Sequence, residues 1–469
     1  MGDGCRGRDS KQPNEGNFAL ASLRRTLLIT AVLGATALAP AGVSAETILG
    51  AMAKAYENNP DLNAARAGLR ATDEGVAIAK SGYRPQISAS ASASASNVDV
   101  GGLPVSVQTE DASVGVSFTQ SLFDGFRTKN NVRAAEANVF GGQQSLLNTE
   151  MTILLSAAQI YANVVRDAQI VRVRRQNLEF LREQRNAAQA RFDVGEGTRT
   201  DIALAQAQLE SARASLLSAQ AQYKSSVAVY VQIIGIAPKN LKAPSPTRKA
   251  IPGSSAAAVE AGLREHPNIL SAQYSVDAAA FTVKAAEGAL LPSVSLSGSV
   301  NHADGGTTTS TVSAALSVPI YQGGSASATV RQAKETLGQA RILVDSARRE
   351  VQQNIVTDWA QLDASKASIT ANVAQVQAAQ LALQGVVEER KVGQATTLDV
   401  LETQSNVLSA QESLAQSRRD AVVASYSLLS SMGRLTVSRL GLRVAKYRPE
   451  KHYEAVKDKW FGLRTVDGR

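Results

Sequence analysis

Val194-Gly195-Glu196-Gly197-Thr198-Arg199-Thr200-Asp201-Ile202 and Val392-Gly393-Gln394-Ala395-Thr396-Thr397-Leu398-Asp399-Val400 are two copies of one short turn. Gly195 and Gly393 stand 198 residues apart, as do Asp201 and Asp399. A glycine at the end of a long helix lets the chain reverse. Thr followed three residues later by Asp is a signature for the start of the returning helix. A repeat at this distance marks a duplicated chain, so function has to be read from a doubled unit.

Residues on either side of the turns support long helices. No proline occurs between 105 and 237 or between 320 and 448. Leu147, Met151, Leu154, Ala158, Tyr161, Val165 and Ala168 follow the 4-3 spacing of a packed helical seam. A helix over 128–193 would be about 100 Å long, with Gly141-Gly142 the expected place for a kink. A partner helix is expected over 201–234. The second copy predicts helices over 325–391 and 397–432.

Upstream of each long helix the period changes from 3.6 to 2. Ile87 to Ala95 alternates Ser with Ala, and Val114, Val116, Phe118 and Leu122 share one face against Ser, Gly and Thr on the other. Hairpins are expected at about 86–122 and 293–320. Helices 46–82 and 258–289 precede them, interrupted at Asn59-Pro60 and His266-Pro267. The first repeat is thus 46–237 and the second 258–433, joined by a Pro/Lys-rich connector at 238–257. The tail, 434–469, shows no pattern. The offset between copies falls from 207 to 198 across the hairpins, so the first hairpin holds nine extra residues, expected in an exposed loop.

Composition narrows the class. Aromatics are only 4%, which suits long helices packed through small residues better than an ordinary globular core. The net charge of +8 is interleaved with acids along the helices and carries no nucleic-acid motif. The single cysteine, Cys5, and the scattered His266, His302 and His452 offer no metal cluster, and the histidines read as surface or loop residues. No catalytic constellation or cofactor loop is present, so no enzyme, cofactor or metal is expected. Arg24-Arg25, the apolar run to Leu38 and Val43-Ser44-Ala45 form a signal peptide over 1–45.

Four strands of about ten to twelve residues can cross a bilayer when tilted, but they are too few to close a barrel. One apolar and one hydroxyl-rich face suit lipid outside and water inside. Tyr83, Phe118, Phe123, Phe126 and Tyr321 sit where an aromatic belt would lie. A soluble sheet packed on the helices remains the other reading of the strands.

Asn59-Pro60, Tyr83-Arg84-Pro85, Phe123-Asp124-Gly125 and the doubled Val-Gly-x-x-Thr-x-x-Asp turn, in this order, resemble the TolC family of outer-membrane channel proteins over about residues 46–433. The resemblance implies a mainly α chain with a membrane β-barrel. It implies a homotrimer whose twelve-strand barrel in the outer-membrane lipid continues into a periplasmic α-helical barrel. It also implies a periplasmic adaptor and an inner-membrane ABC or proton-driven transporter as partners, serving type I secretion or efflux. By position, Asp399 and Glu402 match the family's acidic constriction, and Asp201 matches an aspartate that bridges the closed end. Ala395 and Arg390 stand where the family has the bridging arginine and tyrosine, and Arg199 lies in the first turn instead. The closed state is then expected to set Arg390 or Lys391 against Asp201. A non-channel coiled-coil protein of the envelope, structural or adhesive, is the alternative.

Overall fold

The computed structural model describes residues 45–99, 101–102, 106–247 and 250–468. The expected signal peptide lies outside these residues except for Ala45. Helices α1 (Ile48–Asn58) and α2 (Pro60–Lys80) lead into strands β1 (Gln86–Asp99) and β2 (Ser106–Phe123). Then come α3 (Arg127–Asp193) and α4 (Arg199–Ile234). After the connector the order repeats as α5 (Ser255–Glu265), α6 (Pro267–Gly288), β3 (Ser293–Ala303), β4 (Thr308–Ser317), α7 (Ser325–Lys391) and α8 (Thr397–Ser431). The tail, patternless in sequence, forms α9 (Val437–Leu440) and α10 (Pro449–Val456).

The interruptions at Asn59-Pro60 and His266-Pro267 are matched caps. Asn59 Oδ1 accepts from the Asp61 and Leu62 amides at 2.9 and 3.1 Å. His266 Nδ1 accepts from the Asn268 amide at 3.1 Å. Proline follows each cap, where the helix needs no N–H. His266 is therefore a buried capping residue and not the surface residue expected. His452 also leaves the surface, its Nδ1 lying 2.8 Å from Oδ2 of the fully buried Asp73.

The long helices α3 and α7 each contain 67 residues, about 100 Å at 1.5 Å per residue. Helix α3 continues as α-helix through Gly141-Gly142, the expected place for a kink. These glycines are contact points: Ser271 Oγ donates to the Gly141 carbonyl at 3.1 Å, and a Cβ on Gly142 would stand 3.0 Å from Leu69. Small residues here let α2 and α6 approach α3 closely.

The sheet is antiparallel with order β1-β2-β3-β4. Register puts Ile87 opposite Phe118, Phe118 opposite Gly298 and Gly298 opposite Val312, one apolar row across all four strands. Phe118 covers the space a Cβ on Gly298 would need, at 2.3 Å from its ring. The other face carries Ser88 bonded to Ser117 and Ser92 bonded to Ser113, each at 2.9 Å. Strands β1 and β2 run to 14 and 18 residues, against 11 and 10 for β3 and β4. The extra residues of copy one extend the strands themselves, because Ala93 to Asp99 keep pairing with Ser106 to Ala112 beyond the end of β3. Pairing satisfies backbone groups that a loop would leave to solvent.

Three cores hold the helices. The largest joins α1, α2, α3, the ends of α4 and α8, and Leu435, Val437, Leu440 and Leu442 of the tail. A second joins α5, α6, α7 and α8. A thin third, with Leu178, Leu181, Leu209, Leu216 and Leu401, holds α3, α4 and α8 near the turns.

Burial pushes the His266 imidazole down to about 4, partly opposed by its hydrogen bond to the Ser430 backbone. A folded pKa below the unfolded one means protonation favours unfolding, so stability is full above about pH 6.5 and is lost as pH falls toward 4. His266→Asn, which copies the cap of the first repeat, should remove up to about 3 kcal/mol of that acid sensitivity. Helical circular dichroism during heating at several pH values between 4 and 7 checks this. Parallel pH dependences for the two proteins would show that His266 does not titrate on unfolding.

Candidate functional site

The two turns have the same construction. Gly195 and Gly393 take φ of 81° and 79°, the left-handed conformation that ends α3 and α7. The amides of Glu196 and Gln394 donate to the carbonyls of Arg191 and Glu389, both at 2.9 Å. Thr198 and Thr396 then cap α4 and α8. Each hydroxyl accepts from the amide of the Asp three residues on, at 3.1 and 3.2 Å, and each Asp carboxylate accepts from the threonine's amide, at 3.1 and 2.7 Å. The caps are the threonines; Asp201 and Asp399 close the box from the third helical position. The threonine hydroxyls, foremost, hold both carboxyls below the usual carboxylate range.

The turns differ in their surroundings. Arg390 is 6% exposed. Its Nη1 donates to Gln184 Oε1 on α3 at 2.5 Å and its Nη2 to Thr397 Oγ1 at 3.1 Å. Thr397 and Arg390 of the second turn both lie near the Asp201 carboxylate of the first and help hold it below the usual carboxylate range. Arg390 in turn bonds Gln184 of α3, so the two turns and α3 meet in one polar neighbourhood. Burial, then the neighbouring Arg191, pushes the Arg390 guanidinium down, and Asp201 opposes this.

Arg390 and Asp201 are close enough to influence each other but form no ion pair among the described residues; Arg390 bonds Thr397 instead. Lys391 faces away, paired with Glu388 at 2.7 Å on the exposed side, because it lies one position, about 100° of helix, from Arg390. Arg199 is exposed at the start of α4. Asp399 and Glu402 are exposed together on the first turns of α8, three residues apart and so on one face.

Gln184 and Thr397 escaped the sequence reading, as did a series of polar pairs that joins the copies further up. Gln404 donates to Asn177 at 2.8 Å, both buried. Arg174 clasps Glu412 at 2.6 and 3.2 Å and donates to the Ser215 carbonyl at 2.9 Å. Arg166 reaches Gln416 at 3.2 Å, and Arg419 reaches Asn163 at 2.7 Å. In sequence these residues look like a solvated helix face. Their 3/4 spacing on α3 and α8 was the available signal, but it is shared with truly exposed residues.

Residues 51–235 and 259–434 match the family described as outer membrane efflux protein. The chain is 47% identical over 445 residues to outer membrane efflux protein BepC of Brucella suis, covering 93% of this chain and 96% of that one. It is 26% identical to outer membrane protein TolC of Escherichia coli, covering 83% of each. Among solved structures it is similar to the Campylobacter jejuni CmeC outer membrane channel, with TM-score 0.74, 17% identity, and coverage of 87% of this chain and 89% of that one.

Arg390 bonds Thr397 and lies near Asp201, so losing this buried cation should loosen both turns. Arg390→Ala should raise amide hydrogen exchange about tenfold in residues 392–398 and also in residues 194–200, where nothing has been changed. Mass spectrometry of exchanged peptides measures this. A rise confined to the second turn would mean that the turns are not coupled through Arg390.

Proposed function

The chain belongs to the outer membrane efflux protein family, and from that premise we propose that it is the outer-membrane exit duct of a tripartite export system, built as a homotrimer and gated at the paired turns. The observation that carries the trimer is the sheet. Its four strands alternate in direction, and both β1 and β4 lack a strand partner on their outer sides among the described residues. In hydrocarbon, unpaired backbone groups are not tolerated, so the sheet must close on itself. Strand β4 runs opposite to β1, so β1 of a second copy continues the alternation. Three copies give twelve strands, enough to enclose a water-filled lumen behind the serine face. The outer membrane is accordingly its location, with the long helices in the periplasm.

Beyond the barrel, α3 and α7 reach about 100 Å from the strands to the turns. Those turns form the periplasmic mouth. A periplasmic adaptor and an inner-membrane transporter, ABC or proton-driven, complete the assembly, and the energy for export comes from the transporter. Under threefold symmetry Asp399 and Glu402 form a narrow acidic ring that favours cations. Arg390, anchored to Gln184 and Thr397, holds the mouth closed.

Two measurements test this reading. Detergent-extracted protein should migrate as a heat-modifiable trimer and conduct in planar bilayers; a monomer without conductance would favour an envelope coiled-coil protein. In the same bilayers, Asp399→Ala with Glu402→Ala should reduce cation preference several-fold, and Arg390→Ala should raise conductance. Unchanged selectivity would remove the acidic ring from these two residues, and unchanged conductance would remove the closing contact from Arg390.

A further inference from the structure

The tail is a built structure that the doubled plan does not require. In residues 434–469, Lys and Arg outnumber Asp and Glu ten to four. After its buried start at α9, the segment runs along α2 toward the strands. The Tyr447 amide donates to the Tyr56 hydroxyl at 3.0 Å, His452 meets Asp73 at 2.8 Å, and Lys80 donates to Asp458 at 2.6 Å. Arg84, two residues before β1, donates to the Lys459 carbonyl at 2.9 Å, and its guanidinium lies 4.7 Å from the Trp460 ring centroid.

Beyond this anchor three large apolar side chains stand in the open. Trp460 is 67% exposed, Phe461 89% and Leu463 103%. The backbone around them is tied: Lys459 Nζ donates to the Arg464 carbonyl at 2.5 Å, and Arg70 lies 3.6 Å from Asp467. A fixed loop that displays Trp, Phe and Leu needs an apolar phase to cover them.

Their position identifies that phase. Arg84 follows the exposed Tyr83 in the chain, and Leu122, Phe126, Ile320 and Tyr321 are exposed at the same end of the strands. Ile87, the first residue of the apolar face of β1, lies only three positions past Arg84, about 10 Å at 3.3 Å per residue.

We infer that Trp460-Phe461-Gly462-Leu463 is a membrane foot, inserted into the periplasmic leaflet of the outer membrane beside the barrel, with Lys459 and Arg464 set against lipid phosphates. This rests on the barrel crossing that membrane. Continuity with the belt at the strand ends and the basic excess of the tail both favour a phospholipid surface with anionic headgroups. Trp, with an apolar body and one N–H, suits the interfacial depth.

The chain has two tryptophans, Trp359 and Trp460, so Trp359→Phe leaves Trp460 as the reporter. The full-length protein is reconstituted into vesicles of phosphatidylethanolamine and phosphatidylglycerol, with or without bromine on the acyl carbons nearest the headgroup. Trp460 fluorescence should fall about twofold in the brominated vesicles, and Phe461→Ser with Leu463→Ser should abolish most of that quenching. Those two side chains touch little of the fold, so the double variant keeps its structure. A second protein, with Val116→Trp, Trp359→Phe and Trp460→Phe, reports on the barrel. Quenching at position 116 without quenching of Trp460 would overturn the foot and leave the barrel reading standing, whether Trp460 then lies in water or against a neighbouring copy. Absence of quenching at both positions would overturn the barrel reading and the foot with it. Trp460 quenching unaffected by the double serine variant would also overturn the foot, because the contact would then lie elsewhere.

Discussion

Two unpaired strand edges govern this molecule. Backbone N–H and C=O groups on the outer sides of β1 and β4 have no strand partner among the described residues, and a bilayer offers no water to supply one. The apolar row through Ile87, Phe118 and Val312 drives the sheet into lipid, while the hydroxyl row through Ser88 and Ser117 requires water behind it. The proposed closure with further copies would satisfy both faces and both edges. The helices follow from this, because each strand end continues into a helix and the helices must accept the circumference the strands impose.

The same incompleteness is visible in the helices. Although α3 and α7 have equal length, α3 buries residues along its whole course, packed by α2, α4, α6 and α8. Helix α7 buries few, concentrated between Val330 and Ser365 apart from Arg390. Its exposed Ile342, Leu343, Val356 and Leu381 would face a neighbouring copy in the proposed trimer. Duplication therefore supplied two similar hairpin–helix units that diverged: the first packs the interior of the protomer, and the second leaves most of its long helix exposed.

The fold was legible where chemistry is local. Gly and Thr fix the turns, Pro after Asn59 or His266 restarts a helix, and alternation of Ser with Ala has no helical reading. What stayed hidden depends on distance in sequence. Arg390 and Thr397 are seven residues apart, but Gln184 is separated from Arg390 by nearly the whole second repeat, and nothing in a Gln predicts that it will meet a guanidinium. The polar pairs between α3 and α8 were hidden because a charged residue at 3/4 spacing suits solvent and a second helix equally well. The extra residues of the first hairpin were expected in a loop because insertions usually fall there; Ala93 to Asp99 instead keep pairing across the strands. The tail was unreadable because its partners, Asp73, Lys80 and Arg84, lie on α2 or just beyond it, nearly the whole chain away.

In the proposed duct, the contact by which Arg390 would hold the mouth closed is of limited strength. Arg390 is almost fully buried, yet no carboxylate lies within ion-pair distance of it among the described residues. Its two hydrogen bonds run to neutral oxygens, and its Nε has no partner. Burying a charge without a counter-charge costs several kcal/mol, which neutral hydrogen bonds only partly offset. A direct pair with Asp201 would remove much of that penalty, but Asp201 is already committed to the capping box of α4. The competition has a physical consequence. In the proposed duct, opening that rehydrates Arg390 would recover solvation energy and bring the closed and open states nearer in energy than a buried salt bridge would allow. A duct that must open when partners dock, without energy of its own, needs that narrow gap.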